Sequence, residues 1–375
     1  MRVLFTFAGN RGHLDPLLPI ARAVASRGHT VAFCGRPWMV PKVESLGFVC
    51  FPGGTDDGLI PERVPLRPVE RDDTAWGVRK PRLRAVDLLA LGEAWRPDVI
   101  VWEETDFAAG VIAERLGLPH ASVIVTASGS FLRPELVRLA VDELRAEHGL
   151  TADPDLATLS RHLVLAPFPP CFRDPAYPLP ATATAIRPAV LEPSVDASPA
   201  WLANLPARPT VYLTLGSVFP LESGDLFARV IDGVRALPVN LVVSVGDEFD
   251  RDELGPQPDN VRIESWIPSA HLLPRCDLVI SHGGSGSVIA ALANAVPLLV
   301  IPMGADQPNN ADRCEALGVG LVLDPVSATS EEIRQSASAV LTEPSYREAA
   351  GRFGREAAAL PGSARAAELL ERLVG

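Results

Sequence analysis

The chain is poor in the features that mark several protein classes. No apolar run approaches the roughly 20 residues that a membrane-spanning helix needs. The first eight residues, Met1-Arg-Val-Leu-Phe-Thr-Phe-Ala8, are too short an apolar stretch for a secretory signal before Gly9 interrupts them. Cysteine is sparse: Cys34, Cys50, Cys171, Cys276 and Cys314 are odd in number, scattered and without a close pair. That argues against a disulfide framework and for structural free thiols in a reducing compartment. Positive charge is not in excess either. The formal net charge is −12, so neither a nucleic acid nor an anionic membrane surface is an expected partner. What remains is the expectation of a soluble, cytoplasmic protein, monomeric or homodimeric, without membrane insertion.

With 375 residues, 47% of them hydrophobic, the chain is long enough for two cores and too long for one ordinary domain. Residues 2–8 read as a strand, Gly9-Asn10-Arg11-Gly12-His13 as a turn, residues 15–27 as a helix with Pro16 near its start and Gly28 at its end, and residues 30–34 as the next strand. This strand-helix-strand opening is that of a dinucleotide-binding unit. However, its turn is Gly-x-x-Gly-His rather than Gly-x-Gly-x-x-Gly, and the second strand ends at Cys34-Gly35-Arg36 where a ribose-binding acid belongs. A nicotinamide cofactor is therefore not expected.

Residues 52–82 are polar, proline-bearing and without periodicity, a loop that reads equally as a solvated insertion or an acceptor-binding segment. Regularity resumes with a helix over 85–94, a buried strand over 98–102, a helix over 107–116 closed by Gly117, a strand over 121–126 and a helical pattern over 131–150. The alternation of strands and helices predicts an α/β fold with doubly wound parallel sheets. Proline then dominates: twelve of the 36 prolines lie between Pro154 and Pro209, and only 163–165 reads as a strand there. The expected organisation is a first domain over 1–190, a linker over 191–209, a second domain over 210–350 and terminal helices over 351–375.

The second domain repeats the strand-helix beat from residues 210–215 through 241–245 and 261–263. It leads to the most informative stretch of the chain. The buried run Leu278-Val-Ile280 stops at Ser281-His282-Gly283-Gly284-Ser285-Gly286-Ser287 before an Ala-rich helix. Gly283, Gly284 and Gly286 let backbone N–H groups approach a ligand, and the helix aims its positive end at the same place. With His282, Ser285 and Ser287 as further donors, a diphosphate is the expected ligand. A second buried strand, 297–301, ends in the polar loop Pro302-Met-Gly-Ala-Asp306-Gln307-Pro-Asn-Asn310. In open α/β sheets ligands bind at this edge.

The pattern His-Gly-Gly-x-Gly-Ser, followed some twenty residues later by Pro-x-x-x-Asp-Gln-x-x-Asn, resembles the nucleotide-sugar motif of inverting GT-B glycosyltransferases, in particular the bacterial enzymes that decorate antibiotics and other natural products. The resemblance implies two Rossmann-like domains facing a cleft, with the final helix crossing back onto the first domain. It implies an inverting transferase moving a sugar from a UDP- or dTDP-linked donor to a hydroxyl of a small, largely apolar acceptor, with the nucleotide sugar as co-substrate and no other cofactor.

By the same resemblance, His13 in Gly-x-x-Gly-His is the catalytic base, apt because the histidine pKa lies near neutrality, and Gly12 before it belongs to the donor-binding residues. The family commonly has Asp at the first position after the strand that ends at Trp102. Here that position is Glu103, with Asp106 the other candidate partner of His13. Trp266-Ile267-Pro268 resembles the base-binding strand end, with Trp266 stacking on uracil or thymine and the Ile267 backbone reading its edge. Gly216 and Ser217 would contact the phosphates, while Asp306 and Gln307 would hold sugar hydroxyls. Acceptor contacts fall to Trp76, Phe131 and Leu132. Asp250-Arg251-Asp252 has the spacing of a metal-binding Asp-x-Asp but lies in a run of charges and reads as a solvated turn, so no metal is expected. Two other readings are a GT-B nucleotide-sugar 2-epimerase and a catalytically silent nucleotide-sugar-binding auxiliary protein.

Overall fold

The computed structural model describes residues 1–55, 66, 81–192, 197–216 and 220–375. Its contacts divide the chain into two compact units. Unit 1 is Met1–Gly58, Asp73–Ala189 and Leu360–Gly375; unit 2 is Leu59–Asp72 and Val190–Ala359.

Unit 1 holds a seven-stranded parallel sheet: β1 (Arg2–Thr6), β2 (Thr30–Gly35), β3 (Val49–Pro52), β4 (Val99–Glu103), β5 (His120–Val123), β6 (Leu163–Ala166) and β7 (Ala183–Ala185). They lie in the order β3-β2-β1-β4-β5-β6-β7. All five residues of β4 and all four of β5 are buried, as central strands must be when helices cover both faces. On one face Phe5, Phe7, Phe33 and Val101 meet α2 (Leu18–Ser26) and α3 (Val40–Ser45). On the other, Trp102 and Ile100 meet α4 (Pro81–Trp95), α5 (Phe107–Arg115) and α6 (Pro134–Glu147).

Unit 2 repeats the scheme with six strands, β8 (Thr210–Thr214), β9 (Asn240–Ser244), β10 (Val261–Glu264), β11 (Leu278–Ser281), β12 (Leu298–Val300) and β13 (Gly320–Val322). Their order is β10-β9-β8-β11-β12-β13, and every pairing is parallel. The strands alternate with α7 (Leu226–Val234), α8 (Ser269–Leu272), α9 (Ser285–Ala293), α10 (Gln307–Ala316) and α11 (Ser330–Thr342), and α12 (Pro344–Ala359) follows. In both units the order turns back beside the first strand, which makes the carboxyl ends of β1 and β4, and of β8 and β11, the place where a doubly wound sheet opens a crevice.

Several expectations need correction. The helix expected over 15–27 is split: the Gly9–His13 turn already forms α1 (Arg11–Leu14), and α2 begins after a break. Asn10 caps α1 by accepting the Gly12 N–H at 3.2 Å, which starts the helix early. Strands β3, β7 and β13 carry too short an apolar signal to be seen; β7 is three half-buried residues paired to β6. The stretch read as a linker over 191–209 includes Leu202, fully buried in unit 2, with Arg275 donating to its carbonyl. The terminal helices also part company. α12 belongs to unit 2, and the chain changes unit only at residue 360, beside Pro361-Gly362, so that α13 (Ser363–Val374) alone packs Ala366, Ala367 and Leu370 into the β1 face of unit 1. Glu371 on α13 holds Arg27 through two hydrogen bonds, at 2.8 and 2.6 Å, and His29 at 2.7 Å.

Candidate functional site

Register places the groups on unit 1. Thr6 of β1 pairs with Trp102 of β4, so residues 7–13 and 103–106 leave the sheet side by side. His13, on α1, turns its ring onto Gly9, where a Cβ would collide with the imidazole. Its Nδ1 lies 3.2 Å from Oε2 of Glu103, with the Glu103 side chain fully buried and the His13 side chain 32% exposed. The carboxylate is held from three further sides. Ala8 N–H donates to Oε1 at 3.1 Å, Thr105 N–H to Oε2 at 2.8 Å, and the Thr105 hydroxyl reaches both oxygens at 2.8 Å. Burial by itself pushes a carboxyl upward. The charge and hydrogen bond of His13 and the N–H groups of Thr105 and Ala8 more than offset it, holding Glu103 below the usual carboxylate range. The Ala8 peptide is itself gripped by Arg36, whose Nε donates to its carbonyl.

The other carboxylates of this loop have different partners. Asp106, expected as the alternative partner of His13, accepts two hydrogen bonds from Arg84, a pair almost entirely buried. Arg84 also donates to the carbonyls of Gly53 and Cys34. Asp106 is therefore a strut between α4, the ends of β2 and β3, and the start of α5. Glu104 accepts from the N–H groups of Val125 and Thr126 and from the Thr126 hydroxyl, and burial raises its pKa against those bonds and the charge of Arg173. Of the acceptor candidates, Phe131 is buried and Leu132 is half-buried against the core around Trp102. Trp76 lies outside the described residues, as does Ser217 of the phosphate candidates.

On unit 2 the same register logic applies. Thr214 pairs with Ser281, and Ser281 with Val300, which brings Gly216, the glycine loop and residues 302–307 together at one edge. Gly283 (φ +86°) and Gly216 (φ +79°) adopt a backbone that side chains disfavour. A Cβ on Gly216 or on Gly284 would meet His282 Nε2 at 2.6 and 2.5 Å, so the ring of His282 lies against both backbones. Burial pushes that ring down to about 4 against a backbone hydrogen bond to Thr214, and it is neutral at pH 7. Gly284 caps α9, and Gly286 and Ser287 form its first turn.

The second loop is braced more than expected. The Ser285 hydroxyl donates to Asp306 at 2.6 Å, and Asn310, fully buried, donates to Asp306, to Ser285 and to the Gly283 carbonyl at 2.8, 3.0 and 2.9 Å. Gln307 is 1% exposed, and its Oε1 accepts the N–H groups of Met303 and Gly304. The Ser285 hydroxyl and the Gln307 carbonyl oxygen thus hold the two loops to each other and to themselves. Sequence reasoning missed Thr105 and Asn310 as members of the constellation. Asn310 closes the recognised loop pattern, whereas Thr105 carries no local signal. Trp266, just past β10, is 44% exposed while the next residue, Ile267, is buried. A large ring is therefore presented at the surface on a backbone anchored by its neighbour.

Asp250 accepts from the N–H of Asp252, an exposed turn. Among the described residues no three His, Cys, Asp or Glu side chains converge on a metal site, and no helix is long and apolar enough to cross a membrane.

Comparison with known proteins identifies the family. Residues 228–373 fit the erythromycin biosynthesis protein CIII-like C-terminal domain. The chain is 32% identical to an L-demethylnoviosyl transferase of Streptomyces niveus, over 98% of this chain and 97% of that one. It is 30% identical to a 10-deoxymethynolide desosaminyltransferase of Streptomyces venezuelae, over 100% and 97%. A spinosyn rhamnosyltransferase solved with thymidine diphosphate superposes with a TM-score of 0.82 at 25% identity, over 99% of this chain and 100% of that one. Parallel sheets, glycine loop and full-length identity agree: the chain belongs to the GT-B glycosyltransferases of natural-product biosynthesis and is itself a sugar transferase.

Proposed function

We propose that this enzyme moves a sugar from a dTDP-activated donor to a hydroxyl of a small, largely apolar natural-product acceptor with inversion at the anomeric carbon. The observation that carries the reading is the His13–Glu103 pair. With Nδ1–H directed at a buried carboxylate, the basic lone pair of His13 is on Nε2, and this nitrogen takes the acceptor's proton as its oxygen attacks. The bond from the anomeric carbon to the diphosphate breaks on the opposite face. Glu103 stabilises the imidazolium until the proton leaves to solvent.

The departing diphosphate falls to the N-terminus of α9 and the Gly283–Gly284 backbone, where N–H groups and the helix dipole take up charge that no side chain needs to carry. Gly12 and Gly216 leave room at the two edges, and Trp266 stacks on the nucleobase. Asp306, with Gln307 bracing its loop, faces the sugar hydroxyls. Thymidine diphosphate in two solved relatives favours dTDP over UDP. No prosthetic group, metal or nucleic acid is needed in this scheme, and the cytoplasm, where nucleotide sugars are made, suits it.

Turnover of a panel of dTDP- and UDP-sugars with hydroxylated aglycones, read by mass spectrometry, tests the proposal. His13→Ala should lower turnover by on the order of 10²–10⁴ while leaving dTDP affinity within about twofold. A variant as active as wild type removes His13 from the role of base.

A further inference from the structure

The hydroxyl of Thr105 stands at the centre of the unit 1 constellation. Its Oγ1 is 2.8 Å from both oxygens of Glu103 and 3.3 Å from Nδ1 of His13. Counting protons decides which way these bonds run. Glu103 is ionised, so it accepts and donates nothing. The single hydroxyl proton of Thr105 therefore goes to the carboxylate, a stronger acceptor than a ring nitrogen. Toward His13 the hydroxyl then offers only lone pairs. Nδ1 faces two acceptors, Oε2 of Glu103 at 3.2 Å and Oγ1 of Thr105 at 3.3 Å, and the tautomer that satisfies both is the one protonated on Nδ1.

From this we infer that Thr105 is a positioning residue: its hydroxyl, together with Glu103, locks His13 in the Nδ1–H tautomer and fixes the plane of its ring. The inference rests on the reading of His13 as the base. Neither oxygen holds the ring well alone, because both contacts are longer than the optimum for N–H···O. Two weak restraints from different atoms fix an orientation that one leaves loose. Thr105 is suited to this because its own N–H is bonded to the same carboxylate at 2.8 Å, so its backbone, hydroxyl and target move as one piece.

The test reads the ring directly in full-length protein labelled with ¹⁵N-histidine, with the His13 signals assigned by their loss in His13→Ala. In wild type the Nδ1 and Nε2 shifts should report the Nδ1–H tautomer. Thr105→Val keeps the shape and removes the hydroxyl, and it should mix the tautomers. It should also shift the pH at which the ring titrates, because the hydroxyl touches both members of the His13–Glu103 pair. Turnover should fall about tenfold, the usual worth of one hydrogen bond to a charged group, with dTDP affinity unchanged. Thr105→Ser should restore tautomer, titration and rate, and Thr105→Ala serves if the valine variant does not fold.

Unchanged ring shifts and titration in Thr105→Val overturn the inference, as does a rate loss that is uniform in pH and unrescued by serine. Turnover of His13→Ala separates this from the reading beneath it. An active His13→Ala sinks the base. An inactive His13→Ala beside an indifferent Thr105→Val sinks Thr105 alone.

Discussion

The two units share a parallel sheet and a reversal of strand order, yet they furnish the carboxyl edge in opposite ways. Among the described residues, every buried Arg, Asp and Glu side chain lies in unit 1: Arg84, Glu103, Asp106, Arg145 and Asp153. The buried polar groups of unit 2 are amides, hydroxyls and the neutral His282, and its edge is lined by Gly216, Gly283 and Gly284. Arg84, Glu103 and Asp106 lie at the carboxyl edge, whereas Arg145 and Asp153 tie α6 to the end of α5 and to residues 151–158, and the difference at the edge fits the chemistry proposed for each unit. Moving a proton needs a titratable side chain whose tautomer is fixed, and that takes a buried carboxylate with its own set of donors. Binding a diphosphate needs backbone N–H groups at close range, and side chains obstruct it. One edge is costly in buried charge, the other in backbone freedom.

The largest expected effect breaks the charged edge. Arg84→Met leaves Asp106 buried without its partner and should destabilise unit 1 by about 3–5 kcal/mol, while Arg84→Met combined with Asp106→Leu should recover most of it. Urea unfolding decides the matter. A single variant within about 1 kcal/mol of wild type would show that water already reaches Asp106.

The next effect is common to both units. Burial holds His120 in unit 1 at about 4, with help from the charges of His162 and Arg161, and it holds His282 in unit 2 at about 4. The unfolded chain protonates both near the usual 6.5, so between 6.5 and 4 it binds more protons than the folded one. Stability is therefore full above 6.5 and falls as pH drops through that window, by on the order of 3 kcal/mol per histidine at its lower end. Denaturant titrations at pH 7, 6 and 5 should show the decline, and His120→Gln should remove its share. A flat profile for wild type would mean that these rings are hydrated.

The smallest effect sharpens the glycine side of the comparison. Gly284 has an ordinary φ of −59°, so Gly284→Ala meets no backbone strain and only displaces the His282 ring. We expect roughly tenfold weaker dTDP binding by calorimetry, with the His13 titration untouched. Affinity equal to wild type would show that the loop tolerates a moved ring.

Much of this protein is legible in one dimension. Continuous apolar runs such as Val99-Ile-Val-Trp102 announce strands covered on both faces, since only full burial on two sides removes the alternation. The glycines between Ser281 and Ser285 announce a strand-to-helix turn with room for an anion, because glycine's conformational range is local to the residue. The position of His13 at a sheet edge follows equally from what precedes it in the chain. Which carboxylate meets that histidine does not. Glu103 and Asp106 sit three residues apart on one loop, and only the β1–β4 register and the arrival of Arg84 from α4 assign the first to His13 and remove the second. Thr105 is likewise indistinguishable from a solvated loop residue until its partners are in place, and the bracing contacts of Ser285 and Gln307 are equally invisible in the motif that names them. α13 joins unit 1 through Leu370 and Glu371, more than 300 residues from Arg27. Local pattern encodes period and backbone freedom, whereas the partner of a polar group is set by which strands pair, and that is decided when the chain closes on itself.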